Sequence, residues 1–226
     1  MLGQNMTKID EYIQQFTAPT WFGDEAELVI NVEEGFNFHD KCIINLSKKY
    51  KDDEKAQFPF FTMMYYNGVL TLSGGFGYGI FNWCNPKNSI EWMANLRSEG
   101  YILEKCQASS EFRYQYGHFT IFDSDEAQKD YKDFISNYKR ELEEGDYRWD
   151  LKFPKLDLES YETMTIEVWQ ELCSFLSEND EFFDSCDLEN FGIRISPSFQ
   201  KIWAWFNIAV NLSNEKGLLN GFYKSK

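Results

Sequence analysis

The chain has 226 residues and a mass of 26.8 kDa, enough to bury a substantial core in one or two domains. Its 22 Lys and Arg stand against 37 Asp and Glu, for a net charge of −15. That balance excludes a surface built to grip a nucleic-acid backbone, which needs clustered cations. The 43% apolar content excludes wholesale disorder.

In chain order, Thr7 is predicted to cap a helix. Asp10 lies three residues on, and Ile9, Tyr12, Ile13 and Phe16 follow at helical spacing up to Pro19. Glu27–Glu33 and Lys41–Ser47 read as strands, the second followed by a charged loop from Lys48 to Lys55. Phe60–Tyr66 and Val69–Ser73 flank Asn67-Gly68, a dipeptide suited to a two-residue hairpin turn because both central residues need positive φ. Such a loop sets Tyr66 opposite Val69, Tyr65 opposite Leu70 and Met63 opposite Leu72. It places Phe61, Met63, Tyr65, Leu70 and Leu72 on one core face. Gly75–Trp83 reads as a third strand, with Gly75, Gly77 and Gly79 on one side and Phe76, Tyr78 and Ile80 on the other. Bare glycines on a strand imply close approach by another element.

Asn88–Ser98 is expected to form a helix closed by Gly100. Tyr101–Gln107 and Phe112–Phe122 are expected to pair as strands. Asp123 or Ser124 begins a helix whose Ala127, Tyr131, Phe134, Ile135, Tyr138 and Leu142 form one stripe, stopped at Gly145. A helix from about Thr163 to Ser177 and a short strand at Phe191–Ile195 follow. Ser196-Pro197 then starts a last helix through Phe199, Ile202, Trp203, Phe206, Ala209 and Val210. The alternation of Ile202, Ala204, Phe206, Ile208 and Val210 keeps a buried strand as the competitor there. The fold class is α+β: an antiparallel β-meander with strands mostly before residue 122, helices packed on one side and a helix-rich C-terminal region. The natural division is 1–150 for the sheet and 151–226 for an acidic helical region, as two domains or one.

The N-terminal residues carry Lys8, Asp10 and Glu11 with no apolar run, so no secretory signal is expected. The apolar window from Ile202 to Val210 is short of the ~20 residues that cross a bilayer. The five cysteines (Cys42, Cys84, Cys106, Cys173, Cys186) are odd in number and widely spaced, which fits reduced thiols and a cytoplasmic protein. His39 and His118 lack companions at metal-ligand spacing, so neither a metal site nor a cofactor is expected. The spacing Gly75-Phe-Gly-Tyr-Gly79 lacks the following Lys and helix N-terminus of a phosphate loop. No catalytic constellation stands out, and the protein is read as a binder rather than an enzyme.

The charge is localised. From Asp123 to Phe191 there are 21 acids and 7 bases, and between Lys155 and Arg194 there are 11 acids and no base. If those 38 residues formed one straight helix they would span about 57 Å. Duplex DNA of that length carries roughly 34 charges, so mimicry of a nucleic-acid backbone needs the acids to converge. A solvated face that keeps the protein soluble is the bland reading of the stretch, and a basic protein partner asks for less convergence than mimicry does. The residues assigned to its contact surface are Glu167, Glu171, Glu178, Asp180, Glu181, Phe182, Phe183, Asp184, Asp187 and Glu189, with Tyr147 and Trp149. Interface hot spots favour Trp and Tyr, and aromatic residues stand among these acids. The expected function is an acidic inhibitor or immunity-type protein that docks on a nuclease or other nucleic-acid-handling protein. The alternatives are an enzyme or ligand-binding protein with a pocket at Gly75–Gly79, and a structural homo-oligomer. Direct nucleic-acid and membrane contacts are not expected.

Overall fold

In the computed structural model, Thr7 and Asp10 form a reciprocal cap at the start of the first helix. The Thr7 hydroxyl accepts from the Asp10 N–H, while the Asp10 carboxylate accepts from the Thr7 N–H. Two of the otherwise unpaired donors of a helix start are satisfied in this way. The structure describes residues 6–18, 21, 26–32, 41–50, 59–83, 90–109, 119–144, 170–171, 173–174 and 191–219. These fall into two units, Met1–Arg113 with Ile195–Lys226, and Tyr114–Arg194.

The first unit is a six-stranded antiparallel sheet with helices on one face. Helix α1 (Lys8–Thr17) precedes β1 (Ala26–Val32), β2 (Lys41–Tyr50), β3 (Phe61–Tyr66), β4 (Val69–Gly74), β5 (Gly77–Asn82) and β6 (Cys106–Ser109), which pair in that order. Between β5 and β6 lie two short helices, α2 (Ile90–Ala94) and α3 (Glu99–Leu103). The hairpin between β3 and β4 has the predicted register, Tyr66 to Val69, Tyr65 to Leu70 and Met63 to Leu72. Its turn residues Asn67 and Gly68 take φ of 46° and 87°, the positive values that two-residue turn requires. Phe61, Met63, Tyr65, Leu70 and Leu72 are all buried on the covered face, as their alternation implies.

Three local expectations change. Lys48, Lys49 and Tyr50 continue β2 rather than opening a loop, because Leu28, Glu27 and Ala26 of β1 pair with them. Gly75 and Phe76 make a turn, and the strand starts at Gly77, whose φ is 108°. Phe76 stacks on Phe16 of α1, at 5.9 Å between ring centroids, instead of joining the Tyr78 face. The helix expected over 88–98 stops at Ala94, and Gly100 lies inside α3 rather than closing it. The Ala94 carbonyl accepts from Asn207 and Arg97 side chains, and Arg97 also takes the Leu96 carbonyl. Side chains thus satisfy the acceptors that another helical turn would have used.

The expected pairing of 101–107 with 112–122 does not form. Tyr101–Leu103 is helical, β6 joins the edge of the main sheet beside β5, and β7 (Thr120–Phe122) pairs with β8 (Ile193–Ile195). Helix α4 (Ser124–Glu144) follows β7, and Asp123 caps it by accepting from the Asp125 and Glu126 N–H groups.

The last helix, α5 (Pro197–Glu215), settles the choice between helix and strand. Ser196 caps it through the Ser198 N–H and Pro197 fills its first position. Residues 202–210 are buried all the way round, as a helix sandwiched between layers must be. Trp203 meets Phe81 edge-on at 5.2 Å, and Trp205 stacks on Phe16 at 4.7 Å. One turn of α5 therefore faces the sheet and α1 together. This helix belongs with the main sheet, so the unit boundaries differ from a cut at residue 150.

Candidate functional site

The acids divide as the fold does. The unit Tyr114–Arg194 holds 21 acids and 8 bases, a net of −13, leaving −2 for the unit that contains the main sheet. The acidic unit is organised around α4. Ala127 and Tyr131 on its apolar stripe are buried, and Phe134 meets Phe191 at 5.8 Å. Its opposite positions, including Asp125, Lys129, Lys132 and Asp133, are exposed.

Arg194 ties this helix to β8. Its Nη2 donates to Asp130 at 2.8 Å and to Glu126 at 2.9 Å, while Nη1 donates to the Ile193 carbonyl. The Gly192 N–H donates to the same Asp130 carboxylate at 2.9 Å, and the Asp123 N–H donates to the Gly192 carbonyl at 2.8 Å. Burial pushes the Asp130 carboxyl up, but the Gly192 N–H and the guanidinium outweigh it, and the group lies below the usual aspartate value. The hydrogen bond from Arg194, and after it the positive charge of Lys129, lowers Glu126 as well. Arg194 is the first base after Lys155, and its charge is taken up by acids of its own unit. Acids four apart on a helix, with one base in the strand that follows, are the pattern that foreshadows this clamp. Sequence reading noted the base-free stretch but not the pairing.

Of the residues assigned to the contact surface, Glu171 lies on a helical segment and is exposed. Cys173, two positions on, is buried at 7% exposure, so the segment has a covered and an open side. Glu167, Glu178, Asp180, Glu181, Phe182, Phe183, Asp184, Asp187, Glu189, Tyr147 and Trp149 lie outside the described residues.

Of the glycines at 75, 77 and 79, Gly77 and Gly79 lie in β5. Gly79 is buried between Leu72 and Ser109 in the sheet, and its face continues into Phe81 and Trp83. That face is filled by the Trp203 ring, 5.2 Å from Phe81 and 6.1 Å from Trp83. At Gly75 an added Cβ would meet nothing within 4 Å.

The described thiols suit packing rather than chemistry. Burial pushes Cys42 up to about 12 and Cys106 up to about 11, far from a thiolate at neutral pH. Among the described residues, no three of His, Cys, Asp or Glu are grouped as metal ligands, and no helix is long and apolar enough to cross a membrane.

No family model, curated protein or solved structure matches this chain.

Proposed function

We propose that this protein works by binding a basic protein partner through the unit Tyr114–Arg194, in the manner of an inhibitor or immunity-type factor for a nuclease or other nucleic-acid-handling protein. The observation that carries the reading is the division of charge, −13 on one unit and −2 on the other. A field of one sign gathered on one part of a molecule steers an oppositely charged partner and aligns it on approach. A partner that handles nucleic acid carries the matching cations on its substrate-binding surface. Pairing of Arg194 within the unit removes a cation that would oppose docking, and Glu171 stands open to solvent. On this reading the protein contributes contacts rather than a reaction and works in the cytoplasm.

The test compares the native chain with a variant carrying Asp180→Asn, Glu181→Gln and Asp184→Asn. Each is used to capture proteins from native lysate at low and at high salt. The expected result is a basic protein held by the native chain, released by salt and retained poorly by the variant. Recovery of no salt-sensitive partner, or equal retention by both chains, overturns the reading.

A further inference from the structure

The two edges of the main sheet are unlike. Strand β6 is four residues long, and its pairing with β5 is broken by an irregularity at Ile80 and Phe81. Short and kinked, it offers little to another strand. At the other edge β1 runs for seven residues, Ala-Glu-Leu-Val-Ile-Asn-Val. Its register with β2 is unbroken, from Ala26 opposite Tyr50 to Val32 opposite Ile44. It holds no proline and a single charged residue, Glu27. Among the described residues β2 is its only strand neighbour, and no turn or loop hydrogen bond between backbone groups reaches residues 26–32. In an antiparallel pair, alternate residues turn their N–H and C=O groups away from the partner. Three or four of the seven residues of β1 therefore present theirs along the outer edge. Leu28, Val29, Ile30 and Val32 are half-buried, while Glu27 and Asn31 are exposed.

We infer that the outer edge of β1 takes up an extended segment of another protein as an added strand, apolar at alternate positions and carrying Lys or Arg at both ends. Charge selects this occupant. Asp24 and Glu25 precede the strand, Glu33 and Glu34 follow it and Glu27 lies within it, with no Lys or Arg between Lys8 and Lys41. In strand addition the main-chain hydrogen bonds supply affinity and the alternate side chains supply selectivity. Ile30 and Val32 pair with Leu46 and Ile44, which are buried. Apolar side chains at alternate positions of the incoming segment extend that covered side, and its terminal cations meet the acids that adjoin β1 in sequence. The same acids disfavour a second copy of this chain. Antiparallel pairing of β1 with itself over all seven residues centres on Val29. It brings the Asp24-Glu25 end of one chain to the Glu33-Glu34 end of the other, setting like charges together at both ends of the ladder. Charges flanking an apolar strand guard it against pairing with its own kind, and here they leave it open to a basic one. This surface belongs to the main unit and is independent of the one proposed for Tyr114–Arg194.

Titration of the full chain into the labelled peptide Lys-Arg-Val-Thr-Val-Thr-Val-Lys-Arg, followed by fluorescence anisotropy, tests this. The expected result is binding in the micromolar range, with slower amide exchange over residues 26–32 in the complex. Pro in place of the central Val of the peptide keeps the charge but removes an N–H and breaks the ladder. That peptide is expected to bind more than about 10-fold more weakly. Glu25→Lys with Glu33→Lys in the protein is expected to weaken the native peptide by a similar factor, with an unchanged circular dichroism spectrum. Equal affinity for the two peptides overturns the inference, since charge attraction alone then holds them, as does equal affinity for the two proteins. Protection that falls on residues 114–194 instead of 26–32 places the contact elsewhere and overturns it too. So does exchange over 26–32 that slows with protein concentration when no peptide is present, because a second copy then holds the edge. Absence of binding up to about 1 mM peptide ends the proposal.

Discussion

One guanidinium nitrogen of Arg194 lies 2.8 Å from both carboxylate oxygens of Asp130, with Glu126 at 2.9 Å from the same nitrogen. The side chains are 64 and 68 residues apart in sequence, so the contact closes the acidic unit on itself. Arg194→Met is therefore expected to loosen α4 even though its hydrophobic stripe is untouched. About a third of the guanidinium is exposed, so the cost belongs near the low end for a charge-assisted pair, about 1 kcal/mol. Faster amide exchange over residues 124–144, with the main sheet unchanged, is the expected readout. Arg194→Lys loses the fork that reaches both acids and is expected to fall between the two.

The same cluster sets a pH dependence. Asp130 is lowered from an ordinary value of 3.8, as is Asp10, where the Arg97 guanidinium and the Thr7 cap outweigh burial. A carboxyl depressed by folding adds stability that is fully present above its unfolded value. That share is lost as pH falls through the folded one. Urea midpoints are expected to hold above about pH 5 and to fall steadily below pH 4. In Asp130→Asn the midpoint is lower at pH 7, and the gap from the native chain narrows toward pH 3. A gap that stays constant with pH would mean that Asp130 acts through packing alone.

Gly192 is where this unit admits no side chain. Its φ is +74°, and a Cβ there would lie 2.5 Å from the Asp123 carbonyl oxygen and 2.6 Å from the Ala127 Cβ. Backbone strain and crowding act together in Gly192→Ala, which is expected to cost about 2 kcal/mol or more. Gly100→Ala is the control, since that glycine sits within α3 with open space around it. There the substitution is expected to be neutral or to stabilise by up to about 1 kcal/mol. Thermal unfolding of both variants separates the cases, and equal melting temperatures would refute the strain at Gly192.

What the sequence makes legible follows from how local each signal is. The Asn67-Gly68 turn fixes its own register because both positive φ values and both strands lie within 14 residues. The Thr7 and Ser196-Pro197 caps are equally local. The helix expected over 88–98 failed for the opposite reason. Its end is set by Asn207, 113 residues away from the Ala94 carbonyl that it engages, and no window along the chain contains that information. Pairing of β7 with β8 is likewise long-range, as is the seat of α5 against the sheet. For the site, charge segregation was readable by counting, and the Arg194 clamp was not, because it needs α4 and β8 side by side.

Asn207 and Arg97 share an acceptor, which yields a sharper expectation than either residue alone. The Ala94 carbonyl takes the Asn207 amide at 2.9 Å and the Arg97 guanidinium at 3.1 Å. Asn207 is 2% exposed, and Leu keeps its branched heavy-atom shape while removing this donor along with the bonds to Asn95 and Asn211. With Arg97 still present, Asn207→Leu leaves the carbonyl one partner and also frees the Asn95 and Asn211 side chains, so it is expected to cost about 1–3 kcal/mol. Arg97→Met alone is expected to cost a similar amount, including the loss of its pair with Asp10. Together the two changes strip the carbonyl of both side-chain donors at the end of α2. The double variant is then expected to exceed the sum of the singles by about 0.5 kcal/mol or more. Additive costs in a denaturant-unfolding cycle would show that α2 stops at Ala94 for some reason other than this shared acceptor.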